Sequence, residues 1–291
     1  MVEDSLSAVS ITEGLKTRFI GQRVLYYPSL TSTMEIARQA AGQGVAEGTV
    51  IIADEQTAGR GRLKRTWLAP RGNIALSVIL HPGLSNLPSL IMLASLAVVH
   101  SIESVTGLKA QIKWPNDVLV NGKKVCGILI ENEILGNAVT ATIIGIGIDV
   151  NLRLADFPEI QSIATSLSDE LGKEVSRLKL IRYLLVEMEN LYLALSAGGS
   201  PSASLRTGPS AEFTLSTFAS LSINSANVLR TGLYEEWRDN LITLGKKVRV
   251  TGEDTIYEGI AESVDRDGSL LLRGLDGNLT RIVAGDVSLR E

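Results

Sequence analysis

Two stretches hold most of the side chains able to do chemistry. From Ala53 to Arg71 the chain reads ADEQTAGRGRLKRTWLAPR, with five basic residues (Arg60, Arg62, Lys64, Arg65 and Arg71) and no acid after Glu55. Guanidinium forks match the oxygens of phosphate or carboxylate, and Gly59 and Gly61 permit positive φ and close approach of backbone to a ligand. Because the whole chain has a formal net charge of -4, the run is a local inversion of charge. It predicts a mobile anion-binding loop, against the plainer reading of a solvated flexible connector.

The second stretch, Leu108 to Ile134, reads LKAQIKWPNDVLVNGKKVCGILIENEI. Trp114-Pro115 forces an extended break, from which Asn116 and Asp117 present an amide and a carboxylate. Ala110 to Trp114 and Val118 to Val120 read as strand, Asn121-Gly122 signals a type I′ turn, and Lys123 to Glu131 pairs back as a β-hairpin. Lys113 and Lys124 lie on either side of that turn, and each taken alone reads as a solvated edge-strand charge. Cys126, in an apolar strand, reads as a small core residue.

Several elements must position these groups. Gly48 to Ala53 is a buried strand, and Asn73 to Leu80 is its partner, so the basic run connects two strands. Before it, Ile20 to Tyr27 is a short strand, followed by a helix whose start at Ser32, with Glu35 three residues on, has the capping-box pattern. A helix start also aims N–H groups at any nearby ligand. Leu87 to Val105 is an apolar helix closed by Gly107. In Val139 to Val150, Gly145, Gly147 and Asp149 share one face by the two-residue period. Glycines there suit either a flat ligand or a closely packed element. A helix follows from about Arg177 to Ser196.

Residues 198–231 are rich in Ser, Ala, Thr, Gly and Pro and read as a linker or insertion. Residues 232–244 read as a connecting helix. From residue 245 to 291, short strands alternate with turn signals, which predicts a small antiparallel barrel packed on the main unit. The expected fold class is α+β: a catalytic unit over 1–197 with a mixed central sheet and helices packed on it, plus the C-terminal barrel.

Composition narrows the function. A 45% hydrophobic and 21% charged chain is that of an ordinary globular protein. The acidic balance opposes nucleic-acid coating through bulk charge. One cysteine and two histidines are too few for a disulfide framework or a Cys/His metal site, and they fit a reducing cytoplasm. The first residues lack the order of a signal peptide, and the apolar run Leu90 to Val99 is short of the roughly 20 residues of a membrane span.

Taken together, the motifs resemble biotin protein ligases over nearly the whole chain and in the right order. The carrying residues are Ser32-Thr33, EQTAGRGR with Gln56, Arg65 and Trp67 in LKRTW, KWPND at 113–117, KKVCGILIE with Lys124 and Gly127, and GIGIDVN from Gly145. The resemblance implies a catalytic domain like that of class II aminoacyl-tRNA synthetases with an SH3-like C-terminal barrel. It also implies a two-step reaction: biotin and ATP give biotinyl-5′-AMP, and a lysine of a biotin carrier domain of a carboxylase then takes the biotin.

By the same resemblance, biotin would meet Ser32, Thr33, Met34, Gln56, Gly59, Arg60, Gly61, Arg62, Lys124, Gly127, Gly145 and Gly147. ATP would meet Arg62, Arg65, Trp67, Lys113, Asn116 and Asp149, with Trp67 stacked on adenine. Arg62, Lys113, Asp117 and Lys124 would carry the chemistry, and Asp117 would lie near a Mg²⁺ ion. The chain departs from the family pattern at Asp149, where Asn is usual, and in the length of 198–231. About 31 residues precede Ser32, against the roughly 60 a DNA-binding domain wants, so ligation without repression is expected. A homodimer joined through the central sheet is an arrangement the resemblance allows; neither a nucleic acid nor a membrane is an expected partner. The rivals are a lipoate protein ligase and a nucleic-acid-binding module built on the GRGR loop and Trp67.

Overall fold

The computed structural model describes residues 5–136, 138–197, 232–252 and 255–289; the expected linker at 198–231 lies outside them. A seven-stranded mixed sheet forms the frame, with spatial order β1-β2-β3-β7-β6-β5-β4. Its strands are β1 Val24–Tyr27, β2 Val50–Ala53, β3 Ile74–Leu80, β4 Ala110–Lys113, β5 Asp117–Val120, β6 Lys123–Leu135 and β7 Ala138–Ile148. Only β1 and β2 run parallel; the other neighbours are antiparallel. The residues of β3, IALSVIL, are buried on both faces, which accounts for an apolar run in place of alternation.

Among the described residues, six α-helices accompany the sheet: α1 Ala8–Thr12, α2 Thr33–Gly42, α3 Leu90–Thr106, α4 Leu167–Leu171, α5 Arg177–Ala197 and α6 Gly232–Asp239. α3 and α5 pack together over one face, and every residue of α3 from Met92 to Ile102 is buried. With its 3₁₀ lead-in, Leu84–Thr106 is 23 residues long and apolar enough to cross a membrane by length and composition, which the shorter run Leu90 to Val99 did not suggest. Its most apolar window is 67% buried in the core, so protein already solvates it. α2 covers the opposite face, where Met34, Ala37 and Ala40 pack with Ile51, Ile79 and Ile143. This leaves room beside the start of α2 for a cavity.

The hairpin forms as expected, with Asn121 at φ 50 and Gly122 at φ 78. The connecting helix is shorter than 232–244. It ends at Asp239, and the chain then joins the edge of β4: Ile112 N–H donates to Asn240 O (2.9 Å) and Ile242 N–H to Ile112 O (2.9 Å). An open edge strand offers stronger pairing than another helical turn.

Five antiparallel strands follow: β8 Lys247–Thr251, β9 Ile256–Val264, β10 Leu270–Gly274, β11 Leu279–Ile282 and β12 Asp286–Leu289, in the order β11-β10-β9-β8-β12. Their buried residues Val248, Val250, Ala261, Leu270 and Leu272 join the main core with Trp114 and Trp237. Trp114 Nε1–H also donates to Gly268 O (2.8 Å). So small a sheet gains from sharing a core it could not build alone.

One buried polar group ties three helices. His100 of α3 lies 3.1 Å from Glu187 of α5 through Nδ1 and 2.7 Å from Glu236 of α6 through Nε2. Burial pulls its pKa down, but hydrogen bonds to the two carboxylates more than reverse this and raise it to about 9. A folded pKa above the unfolded one of about 6.5 means that the stabilisation is complete below about pH 6.5 and is lost as pH rises through about 9. We predict that wild type loses about 3 kcal/mol relative to His100→Gln between pH 6 and 10. Urea melts of both proteins across that range check it; parallel pH profiles would refute the linkage.

Candidate active site

The basic run is a finger whose two strands are zipped together. Gln56 N–H donates to Ala69 O (2.9 Å), Trp67 N–H to Gly59 O (2.9 Å) and Gly61 N–H to Arg65 O (2.8 Å). A single 3₁₀ turn at 62–64 makes the tip. Neither Gly59 nor Gly61 uses the positive φ open to glycine; the left-handed residue of the finger is Leu63, at φ 52. Gly59 is needed for closeness, because a Cβ there would sit 2.3 Å from Trp67 O.

The capping box at Ser32 does not form. Thr33 N–H donates 2.7 Å to Gln56 Oε1, and Thr33 Oγ1–H lies 3.1 Å from the same oxygen. Glu35 instead accepts from Thr31 Oγ1–H (2.9 Å). An amide from the finger thus does the work of a cap, while Ser32 remains the residue before the helix without a side-chain cap bond. Its hydroxyl is buried and has no hydrogen-bond partner among the described residues, the kind of group that calls for a ligand or water. Ser77 Oγ–H donates to Thr33 Oγ1 (2.9 Å). Sequence reasoning passed over Ser77, although one hydroxyl inside IALSVIL was a signal.

Across the cavity lies a cationic cluster. Lys113 Nζ is 3.0 Å and Lys124 Nζ 2.6 Å from different oxygens of Asp117. Burial pushes the Asp117 carboxyl up, but Lys124 and Lys113 together hold it below its ordinary value. Arg62 Nη1–H donates to Asn116 Oδ1 (2.8 Å), and Asn116 Nδ2–H to Ile128 O (2.8 Å), which fixes the amide against β6. Burial lowers the Arg62 pKa, with Asp286 and Asp117 pushing it back. A guanidinium remains charged throughout.

The side chains meet through a β-bulge. Asp117 pairs with Gly127 and Val118 with Cys126, but Leu119 pairs with Lys124, so one extra residue of β6 enters at this point. The shift brings Lys124 to the face of Asp117 and Leu119, whereas Val125 and Cys126 join the core. Ile163 O accepts from Lys124 N–H (2.9 Å) and Lys124 O accepts from Thr165 N–H (2.8 Å), so the displaced backbone remains paired.

The two strand glycines do not present a bare surface. A Cβ on Gly145 would sit 2.5 Å from Met34 Sδ, and one on Gly147 would sit 2.4 Å from the indole of Trp67. Here close packing by side chains explains the glycines. Trp67 also lies against Gly127, with Lys124 Nζ 5.4 Å from its ring centroid. Its Nε1–H is buried without a hydrogen-bond partner among the described residues.

Two expected site residues, Gly59 and Asp149, fall outside the cavity lining. The chain has left β7 at Asp149; Asn73 Nδ2–H donates to Asp149 Oδ1 (3.0 Å), and Asp149 N–H donates to Val125 O (2.8 Å). Burial raises the carboxyl pKa to about 8, and Lys124 only partly offsets it. At 4% exposed, the group braces the sheet end through Asn73. Magnesium fits no better at Asp117. Both its oxygens are held by lysines, and the described residues contain no group of three His, Cys, Asp or Glu able to hold a metal ion.

These residues surround a cavity of about 580 Å³, a size suited to a small-molecule substrate or cofactor. It reaches from Ser32 and Gln56 past the finger residues Arg60, Gly61 and Arg62 to the lysine cluster. Its far wall comes from the C-terminal sheet, including Thr251, Asp286 and Leu289. Arg65 ion-pairs with Asp286, so the finger touches that sheet directly. No local signal in the sequence pointed to Asp286.

The sequence pattern of the Biotin/lipoate A/B protein ligase family matches residues 26–149, and that of the Biotin protein ligase C terminal domain matches 243–290. The chain is 35% identical over 288 residues, 98% of its length and 79% of the other's, to the bifunctional ligase/repressor BirA of Bacillus subtilis. It is 31% identical over 262 residues, 87% of its length and 82% of the other's, to the biotin--[acetyl-CoA-carboxylase] ligase of Mycobacterium tuberculosis. Its fold superposes on the biotin protein ligase of Aquifex aeolicus in complex with biotin and ATP with a TM-score of 0.68, 28% identity, and coverage of 92% of this chain and 99% of that one. The fold, a mixed sheet followed by a small C-terminal sheet, is thus shared with that ligase. The chain belongs to the biotin protein ligase family.

The helix start gives a direct test. Gln56→Ala should destabilise the protein by about 1 kcal/mol, as loss of a cap does, whereas Ser32→Ala should change stability by less than about 0.5 kcal/mol. Equilibrium urea denaturation reads both, and the opposite ranking would rule out Gln56 as the cap.

Proposed function

We propose that this chain joins biotin to ATP as biotinyl-5′-AMP and passes the biotin to a lysine of a carboxylase carrier domain. The observation that carries the reading is the opposition, within one cavity, of an unpartnered Ser32 hydroxyl to the Arg62, Lys113 and Lys124 cations. A polar ring binds at the first end, and an anionic reaction centre at the second. The family membership and the biotin- and ATP-bound neighbour support it.

In the first step a biotin carboxylate oxygen attacks the α-phosphorus, the bond to the β-phosphate oxygen breaks, and pyrophosphate leaves. Two anions must be brought together, so the main contribution of the protein is charge neutralisation and alignment. Lys124 meets the carboxylate, while Lys113 and Arg62 meet phosphate oxygens. ATP enters as its magnesium complex, so the metal belongs to the substrate.

In the second step the lysine amine attacks the acyl carbonyl and AMP departs. Asp117, once phosphate draws its lysines away, is the carboxylate nearest to accept the ammonium proton. The finger, with Trp67 beneath it, covers the mixed anhydride against water. Neither Asp149 nor a protein-held metal ion is needed.

Among the described residues before Ser32 there is one five-residue helix, α1, followed by β1. Ligation is the activity proposed here; the Bacillus subtilis relative is also a repressor by name. A biotin-dependent shift of promoter DNA would overturn that narrower reading.

Incubation with labelled biotin, ATP and Mg²⁺ should yield biotinyl-adenylate and pyrophosphate; lipoate in place of biotin should yield little. Arg62→Ala should slow adenylate formation by about a hundredfold, and Lys124→Ala should mainly raise the biotin requirement. Wild-type kinetics in both variants would remove the site assignment. A stronger turnover of lipoate would move the chain to the other branch of its family.

A further inference from the structure

The zipped pairs along the finger hold its shape but cannot set its angle, because each joins one finger strand to the other. One finger strand is also paired to the segment before α2, where Thr57 N–H donates to Leu30 O (2.9 Å) and Ala58 N–H to Thr31 O (3.0 Å), and the two roots share a hold of their own. Asp54 leaves β2 and Asn73 enters β3, next to the register pair Ala53 and Ala75. Both roots meet one side chain from more than 100 residues away in sequence: Arg177, the first residue of α5 and 7% exposed. Its Nη1–H group donates to Asp54 Oδ1 (2.9 Å) and lies 3.3 Å from Asn73 O.

The outer partners of both roots are also fixed. Tyr26 Oη–H donates to Asp54 Oδ2 (2.6 Å). Burial, then the Asp54 carboxylate, raises the Tyr26 pKa to about 12, so the phenol remains a donor at neutral pH. On the other root, Val150 N–H donates to Asn73 Oδ1 (3.0 Å) and Asn151 N–H to Gly72 O (3.1 Å).

We propose that Arg177 is a positioning residue for the ligase reaction, a clamp on both roots of the finger that sets where Arg62 and Trp67 stand over the cavity. The proposal rests on the adenylate-forming reading above. Arg177 touches no reacting atom and is absent from the cavity lining; it acts through Asp54 and Asn73. A buried guanidinium suits the task because its planar fork can address two acceptors in fixed directions, which an ammonium on a flexible stem does poorly.

The alternative is that Arg177 is only a buried ion pair. Arg182, on the same helix, supplies the control, because its guanidinium donates to Ser10 O (2.5 Å) and Ile11 O (3.4 Å) on α1 and not to the finger. Arg177→Lys and Arg177→Gln should slow single-turnover adenylate formation about tenfold or more, raise the KM for ATP, and speed amide exchange across residues 56–71. Arg182→Gln should lower the Tm while leaving all three readouts at wild type.

Asp54→Asn keeps the shape of the root and weakens the clamp. It should reproduce the exchange and rate effects, and it serves if Arg177→Gln does not fold. Folded Arg177 and Asp54 variants with wild-type finger exchange and wild-type adenylate rates would overturn the clamp. If wild type itself makes no adenylate, the ligase reading fails, while the exchange comparison still decides whether Arg177 holds the finger.

Discussion

The site depends on one carboxylate holding two ammonium groups in place. A pocket meant to receive two anions must be rich in cations, and cations at close range repel one another in a partly dry environment. Asp117 resolves this by bridging Lys113 and Lys124. In the proposed reaction, phosphate and carboxylate would take over that counter-charge from Asp117, with both lysines already gathered at one point.

Holding the triad requires the hairpin, and covering it requires the finger. The two structures are joined by few but directed bonds: Arg62 to Asn116, and the Trp67 ring on Gly147 and Gly127. A Cβ at Gly147 would collide with the indole at 2.4 Å, and one at Gly127 would crowd it at 3.1 Å. Gln56 gives the finger a second duty, since its amide oxygen closes the start of α2 and releases Ser32. A change in the finger therefore reaches both ends of the cavity.

The C-terminal sheet belongs to the same physical unit. Its strands share the core through Trp237 and Val248, its linker pairs with the edge of β4, and Asp286 meets Arg65 of the finger. A sheet of this size is marginal alone, so docking stabilises it and at the same time encloses the cavity. His100, between Glu187 and Glu236, ties the helix that leads into this sheet to the main helices.

Local pattern was sufficient for much of this protein. The Asn121-Gly122 turn, the buried β2 and β3, the apolar α3 and the family resemblance carried by GRGR and KWPND were all legible in the sequence, because turn chemistry, apolar periodicity and contiguous motifs are local properties. Distance and face were not legible. The motif placed Asp149 in the nucleotide site, whereas the chain leaves β7 just before it and its carboxylate is buried against Asn73, off the cavity lining. Ser32 with Glu35 read as a capping box, until a glutamine from another segment took that role. Lys124 meets Asp117 only because one extra residue enters β6. Side chains alternate with a period of two, so a single inserted residue moves a lysine from one face of the sheet to the other, and only the pairing partner across the strand decides where it enters.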